Sequence, residues 1–254
     1  MRSDKTKKKK NRKKGGSTLT DFIIVILICV ILFCAFNIGK ALYKYYLGTK
    51  EYKAIQADAG TQRDNNNIDW KKLQSKYKDI IAWLYQKGTV INYPVAQGSD
   101  NSYYLTHLLS GEYNFKGTLF VDVRNKDPFN DFVTVIYGHR MKDFSMFWTI
   151  GDYRKRDYWK KHPTMDLSTP KQDYKVYIFA CVTIPSSSKL YKFDFKNNKE
   201  KANYLKAIMN KTDLQTNVKV TENNKIVMLS TCTYEFENAR VVAFGKLVPK
   251  KKKS

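Results

Sequence analysis

Ile226-Val-Met-Leu-Ser-Thr-Cys232-Thr-Tyr-Glu-Phe-Glu-Asn-Ala-Arg240-Val-Val-Ala-Phe-Gly-Lys-Leu-Val248 is the stretch on which both fold and chemistry turn. Ile226 to Leu229 is apolar and β-prone, and Arg240 to Val248 is again β-branched and apolar, so the stretch reads as two strands. The polar run Thr233 to Asn238 joins them. Cys232 therefore ends one strand and Arg240, eight residues on, begins the next. If the strands are antiparallel neighbours, sulfur and guanidinium converge on one patch. A thiol attacks as its thiolate, which a nearby cation favours, and a developing oxyanion needs fixed donors. The competing reading is a buried, inert thiol beside an unrelated strand-edge Arg, because free Cys is among the most buried residue types.

A second stretch tips the balance. Asp131-Phe-Val-Thr-Val-Ile-Tyr-Gly-His139-Arg-Met-Lys-Asp-Phe-Ser-Met-Phe147 opens as a strand over Phe132 to Tyr137 and breaks at Gly138. It then places His139 where the chain turns into what reads as a short helix. A lone His in such a place is more often a loop residue. Beside a Cys and an Arg that also stand at strand ends, it completes an acid–base, a nucleophile and an electrophilic stabiliser. Tyr137 and Ser230, flanking the His and the Cys, are candidate substrate contacts, with plain strand packing as their alternative.

The order His, Cys, Arg, with Tyr-Gly-His-Arg-Met-Lys-Asp around His139 and Leu-Ser-Thr-Cys ending at Cys232, resembles the sortases. The helical insert between the later strands and the Met-Lys-Asp-x-x-Met-Phe run are similar to class B. The likeness spans roughly residues 70 to 248. Two positions depart from it. Met228 stands where the family pattern Thr-Leu-x-Thr-Cys has its first Thr, and Phe144 stands where a small residue is expected after Met-Lys-Asp.

The resemblance implies a mostly β fold with added helices: a closed barrel, an N-terminal helix, and a helix inserted before the strand pair that bears the Cys. It implies a cysteine transpeptidase that works through a thioacyl-enzyme, with Cys232, His139 and Arg240 as catalytic residues. The implied first substrate is a secreted protein with a C-terminal sorting motif such as Asn-Pro-x-Thr-(Asn/Gly), cleaved after Thr. The second is the amine of a peptidoglycan precursor resembling lipid II. In class B sortases an Asn and a Leu one turn apart help line the substrate groove. Asn101 and Leu105 fit that spacing, since i and i+4 share a helix face, although a turn Asn and a core Leu would read alike. Two other functions remain open for these residues: a hydrolytic cysteine peptidase or amidase of the cell envelope, and a non-catalytic tethered binding module.

Of the 254 residues, 43% are apolar, enough for one sizeable domain and extras. The net charge is +23, yet residues 1 to 14 alone hold nine Lys or Arg against one Asp, and Lys250 to Lys253 add four more cations. No recognition motif accompanies this charge, so nucleic acid is not the expected partner. A membrane explains the basic N-terminus better. Phe22 to Phe36 is an unbroken apolar run, and with Leu19 and Ile38 it approaches the ~20 residues that a bilayer crossing needs. The Lys/Arg block in front puts the N-terminus in the cytoplasm. The expected organisation is a cytoplasmic basic tail over 1–18, a single transmembrane anchor over 19–38, an extracellular linker over 39–67 that starts helical and turns polar, and an extracellular catalytic domain over 68–254. A cleaved signal peptide is the rival, opposed by the lack of a small-x-small site after the run.

Within the domain, Trp70, Leu73, Tyr77, Ile80, Ile81 and Leu84 recur at helical spacing after Asp69, predicting one amphipathic helix packed on the barrel. Strands are expected over Thr89 to Val95, Gly117 to Arg124, Tyr174 to Val182 and from Val218, and a polar helix over Lys199 to Lys211. Cys29 and Cys34 lie in the membrane run, and Cys181 has the apolar surroundings of a buried thiol. Without a disulfide framework the domain must rely on its core, which it is large enough to do. There is no zinc-spaced Cys/His cluster, no Gly-rich phosphate loop and no Asp-rich calcium loop, so no metal and no cofactor is implied.

Overall fold

Among the described residues, runs of β-branched and aromatic residues give eight strands: β1 (Ile80–Tyr85), β2 (Asn92–Ala96), β3 (Leu119–Val121), β4 (Val133–Tyr137), β5 (Thr164–Ser168), β6 (Asp173–Pro185), β7 (Ile226–Cys232) and β8 (Ala239–Pro249). A computed structural model describes residues 17–60, 68–212, 214–233 and 235–251. The basic tail over residues 1–16, the Asn-rich run over 61–67 and the last three residues fall outside them. The strands close into a barrel in the order β1-β2-β3-β4-β7-β8-β6-β5, which leaves no open sheet edge. The β2–β3 and β4–β7 pairs are parallel and all others antiparallel.

The described residues also form five α-helices, α1 (Ser17–Asp58), α2 (Trp70–Lys76), α3 (Tyr103–Thr106), α4 (Arg156–Lys161) and α5 (Asn198–Met209), and a 3-10 helix over Trp148–Arg154. The inserted helix α5 starts where Asn197 accepts a hydrogen bond from Glu200 N. It buries Tyr204, Leu205 and Ile208 in one cluster with Ile226 and Met228 of β7 and Phe244 of β8. The strand that ends at Cys232 is thus covered on its outer face, and its burial is continuous from Ile226 to Thr231. The closed barrel with its inserted helix agrees with the fold expected from the sequence.

Three local expectations differ from what is observed. The helix read over 70–84 stops at Lys76, because Tyr77 is already extended at φ −125° and ψ 92°. Ile80 to Tyr85 instead forms β1, paired with both β2 and β5. An unbroken apolar run satisfies helical spacing and a doubly flanked strand alike, and only the neighbours decide. The stretch 39–58, read as the helical start of a linker, is helical to the end of α1 as expected, and what differs is its packing. From Leu47 onward it belongs to the compact unit of the barrel, where Tyr52, Ile55 and Ala59 are buried along one face. Val218 to Val220 pack on the core cluster without forming a strand.

The other compact unit ends at Tyr46. Its part of α1 carries the apolar run, and the large apolar side chains from Leu19 to Ile38 are exposed. This helix is long and apolar enough to cross a membrane.

Candidate active site

Register across three adjacent strands builds the site. β4 and β7 run parallel with Tyr137 opposite Ser230, and the ladder continues one bond further through Gly138 N donating to Ser230 O at 3.1 Å. Two residues beyond that pair on each strand stand His139 and Cys232. On the other side of β7, the antiparallel ladder with β8 places Cys232 directly opposite Arg240. Neighbouring strands lie about 4.8 Å apart, so imidazole, thiol and guanidinium issue from three adjacent backbones at one rim of the barrel.

Gly138 makes the first of these positions possible. A Cβ there would lie 2.3 Å from Leu119 Cδ2 and 2.6 Å from Phe147 Cδ2, a clash no side chain could relieve cheaply. The short helix expected right after His139 does not form. The chain makes a turn closed by a bridge between Arg140 and Met146 and by Phe147 N donating to His139 O at 2.9 Å. Phe144 and Met146 adopt positive φ (62° and 58°), which excludes a helix, and the 3-10 helix begins only at Trp148.

The His139 ring is aimed by a backbone carbonyl. Nε2 lies 2.7 Å from Leu105 O. A carbonyl oxygen only accepts, so Nε2 carries the hydrogen, and in the neutral ring Nδ1 keeps the lone pair. Arg240 donates through Nη1 to Ala239 O at 3.0 Å, which leaves further guanidinium donors for other acceptors.

All seven residues singled out in the sequence line one cleft of about 180 Å³: Asn101, Leu105, Tyr137, His139, Ser230, Cys232 and Arg240. The reasoning that linked Asn101 to Leu105 is corrected, however. Asn101 precedes α3, whose start is organised by Asp100 Oδ1 accepting from Ser102 N and Tyr103 N. Asn101 Oδ1 accepts from Val123 N at 2.8 Å, so the two residues reach the cleft from a bend and a helix, not from one helical face. Tyr137 donates its hydroxyl to Asp122 Oδ2 at 2.9 Å. Buried Asp122 also accepts from Arg124. Burial alone would raise its carboxyl, but the hydrogen bonds, chiefly from Arg124, hold it below the usual carboxylate range.

Tyr191 was not foreseen. It lies in the loop between β6 and α5, stacks on Tyr137 at 6.1 Å between centroids, and its hydroxyl is 2.8 Å from Ser230 Oγ. Burial raises its hydroxyl above the ordinary tyrosine range. Nothing local in Leu-Tyr-Lys-Phe distinguishes this Tyr from its neighbours. Cys181, by contrast, lies in β6, and burial pushes its thiol up to about 12.

A closed eight-stranded barrel with thiol, imidazole and guanidinium side by side at one rim is the architecture of a sortase-type cysteine transpeptidase. No family model matches the chain. Among curated proteins it is 35% identical over 229 residues to sortase B of Listeria monocytogenes, covering 87% of this chain and 93% of that protein. It is 27% identical over 220 residues to sortase B of Staphylococcus aureus, covering 83% and 90%. Among solved structures, a Staphylococcus aureus sortase B–substrate complex superposes with a TM-score of 0.75 at 26% identity, covering 82% of this chain and all (100%) of that one. Sortase B of Bacillus anthracis in complex with AAEK1 gives 0.74 at 29% identity, covering 82% and 100%. The chain belongs to the sortase B family.

Proposed function

We propose that Cys232, His139 and Arg240 carry the transpeptidation, on a sorting motif of the Asn-Pro-x-Thr-(Asn/Gly) kind and an amine of a peptidoglycan precursor. The observation that carries this reading is the register of β4, β7 and β8, which sets His139 beside Cys232 and Cys232 opposite Arg240. Cys232 Sγ, as thiolate, adds to the carbonyl carbon of the Thr residue. Arg240 and backbone N–H groups stabilise the resulting oxyanion. The C–N bond then breaks, and His139 gives its proton to the departing amine. In the second half the incoming amine attacks the thioester, His139 takes its proton, and the thiolate leaves. Asn101, Leu105, Tyr137 and Ser230 line the groove in which the motif binds. Related enzymes solved as a substrate complex and with triglycine, a short peptide with a free amine, support both halves of this scheme.

We infer further that Leu19 to Ile38 of α1 anchors the protein in the cell membrane, with the basic N-terminus in the cytoplasm and the barrel outside. Both substrates would then be met at the outer surface of the membrane.

Mass spectrometry of the protein incubated with a Thr-containing peptide library tests the chemistry. The expected result is an acyl adduct on Cys232 that an added amine converts into a peptide–amine product. An adduct that only hydrolyses, whatever amine is supplied, would make the protein a peptidase instead. No adduct with any peptide would sink the assignment of Cys232.

A further inference from the structure

His139 is held by two parts of the chain that have no covalent reason to move together. Its backbone belongs to the turn after β4, closed by Phe147 N on His139 O and by the Arg140–Met146 bridge. Its ring is aimed by Leu105 O, which belongs to α3. A hydrogen bond between them persists only while both parts keep their spacing to a few tenths of an ångström.

One side chain ties the two parts together. Lys116 lies between α3 and β3, and its side chain is only 3% exposed. Its Nζ pairs with Asp143 Oδ2 at 2.7 Å, in the turn that carries His139, and donates to Thr49 Oγ1 of α1 at 2.9 Å. The next residue, Gly117 at φ +56°, presses on α3. A Cβ there would meet Tyr104 O at 2.3 Å and Leu105 O at 2.7 Å. Adjacent residues thus touch the acceptor of the His139 ring on one side and the backbone turn of His139 on the other. α1 backs this joint: Tyr52 donates its hydroxyl to Gly117 O, and a Cβ on Gly48 would sit 3.1 Å from Lys116 Cδ. Asp143 itself is braced by Ser145, whose Oγ donates to Oδ1 at 2.6 Å.

We propose that Lys116 is a positioning residue for His139: the ion pair of its buried ammonium with Asp143 locks the turn after β4 to the segment that backs the Leu105 carbonyl, and so keeps the imidazole in one tautomer and orientation beside the thiol. With one partner desolvated and the other open to solvent, such a pair adds little net stability. What it adds here is a fixed spacing between two loops. The inference rests on His139 being the acid–base of the reaction.

The test uses the full-length chain in detergent micelles. Lys116→Met is compared with Lys175→Met, which cuts the 2.9 Å Lys175–Asp166 pair at the opposite end of the barrel. In Lys116→Met, kcat for transfer of a sorting-motif peptide is expected to fall roughly 10–100-fold with KM within about twofold. The ¹⁵N signals of the His139 ring should change from a single Nε2–H tautomer to a mixture. Lys175→Met should leave both unchanged. Thr49→Val, which removes only the hydroxyl under Nζ, should lower kcat in the same direction by a smaller factor. An unchanged kcat in Lys116→Met, or a fall without any change of tautomer, overturns the proposal. Should that variant fail to fold, Lys116→Met combined with Asp143→Asn leaves no unpaired charge and carries the same test. His139→Gln separates the two readings. Activity retained there defeats the acid–base assignment, whereas activity lost there but kept in Lys116→Met defeats only the brace.

Discussion

Cys181 and Cys232 both stand on strands that pair with β8, one on each side of it. Cys181 sits in mid-ladder opposite Ala243, buried, with its Sγ 3.8 Å from Ile150 O. Cys232 sits at the last position of its ladder, opposite Arg240 and open to the cleft. The two thiols share a residue type and a neighbouring strand, yet their surroundings differ in kind. In mid-ladder, covered by the 3-10 helix at Ile150, the thiol has no opening to solvent, so burial penalises the thiolate and the thiol is pushed up to about 12. At the strand end a cation from the start of β8, an imidazole from the turn after β4 and solvent can all reach the thiol. Position along the ladder, rather than the residue itself, decides which thiol can react.

The strongest way to break this comparison is to remove each sulfur in turn. Cys232→Ala should abolish transfer, by roughly 10⁴-fold or more. Cys181→Ala should keep kcat/KM within about twofold and cost about 1–2 kcal/mol of stability, read by denaturant melts. A folded Cys181→Ala protein without activity would contradict it. Alkylation offers the next largest contrast. At pH 8 a thiol with a pKa of about 12 is ionised to only ~10⁻⁴, so peptide mapping after a brief iodoacetamide pulse should find Cys232 modified and Cys181 intact. Arg240→Ala should lower kcat by about 10²–10³-fold, and Arg240→Lys should restore only part of it, because an ammonium lacks the planar fork.

Smaller effects sharpen the picture. Buried Asp122, behind Tyr137, has its carboxyl held below the usual range by its hydrogen bonds, chiefly from Arg124. Its contribution to stability is therefore fully present above about pH 4 and is lost as pH falls through its lower folded value. Thermal midpoints of Asp122→Asn measured from pH 6 downward should show a flatter acid limb than those of the native chain. Arg154 connects the two thiol regions. Its charge acts on Cys181, and its guanidinium pairs with Glu235 in the connection that follows Cys232. Both partners are well exposed (38% and 43%), so Glu235→Gln should cost no more than about 1 kcal/mol. The alkylation pattern should not change.

The sequence made six of the eight strands and the three rim residues legible, because β-branched runs and the glycine break at Gly138 are local signals; β1 reads as helix and the short β5 (Thr164–Ser168) is not read at all. Where it misled, the missing information was mostly a distant partner. Ile80 to Leu84 fitted a helix as well as a strand until β2 and β5 flanked it on both sides. Residues 47–58 read as a linker because the surface that buries Tyr52 and Ile55 comes from elsewhere in the chain. Tyr191 was invisible among aromatic neighbours until Ser230 and Tyr137 supplied its contacts.

By itself, then, the sequence determined that a thiol, an imidazole and a guanidinium would each stand at the end of a strand, and that an apolar helix would precede them. The tertiary structure alone decided that β4 lies parallel to β7 with Tyr137 opposite Ser230, which is what puts His139 next to Cys232. It also decided that Leu105 O would meet that imidazole and that Lys116 would pair with Asp143 in the turn that carries it. The physical reason is that propensity and spacing act over a few residues, whereas strand register and loop contacts between far-apart segments are set by how the core packs.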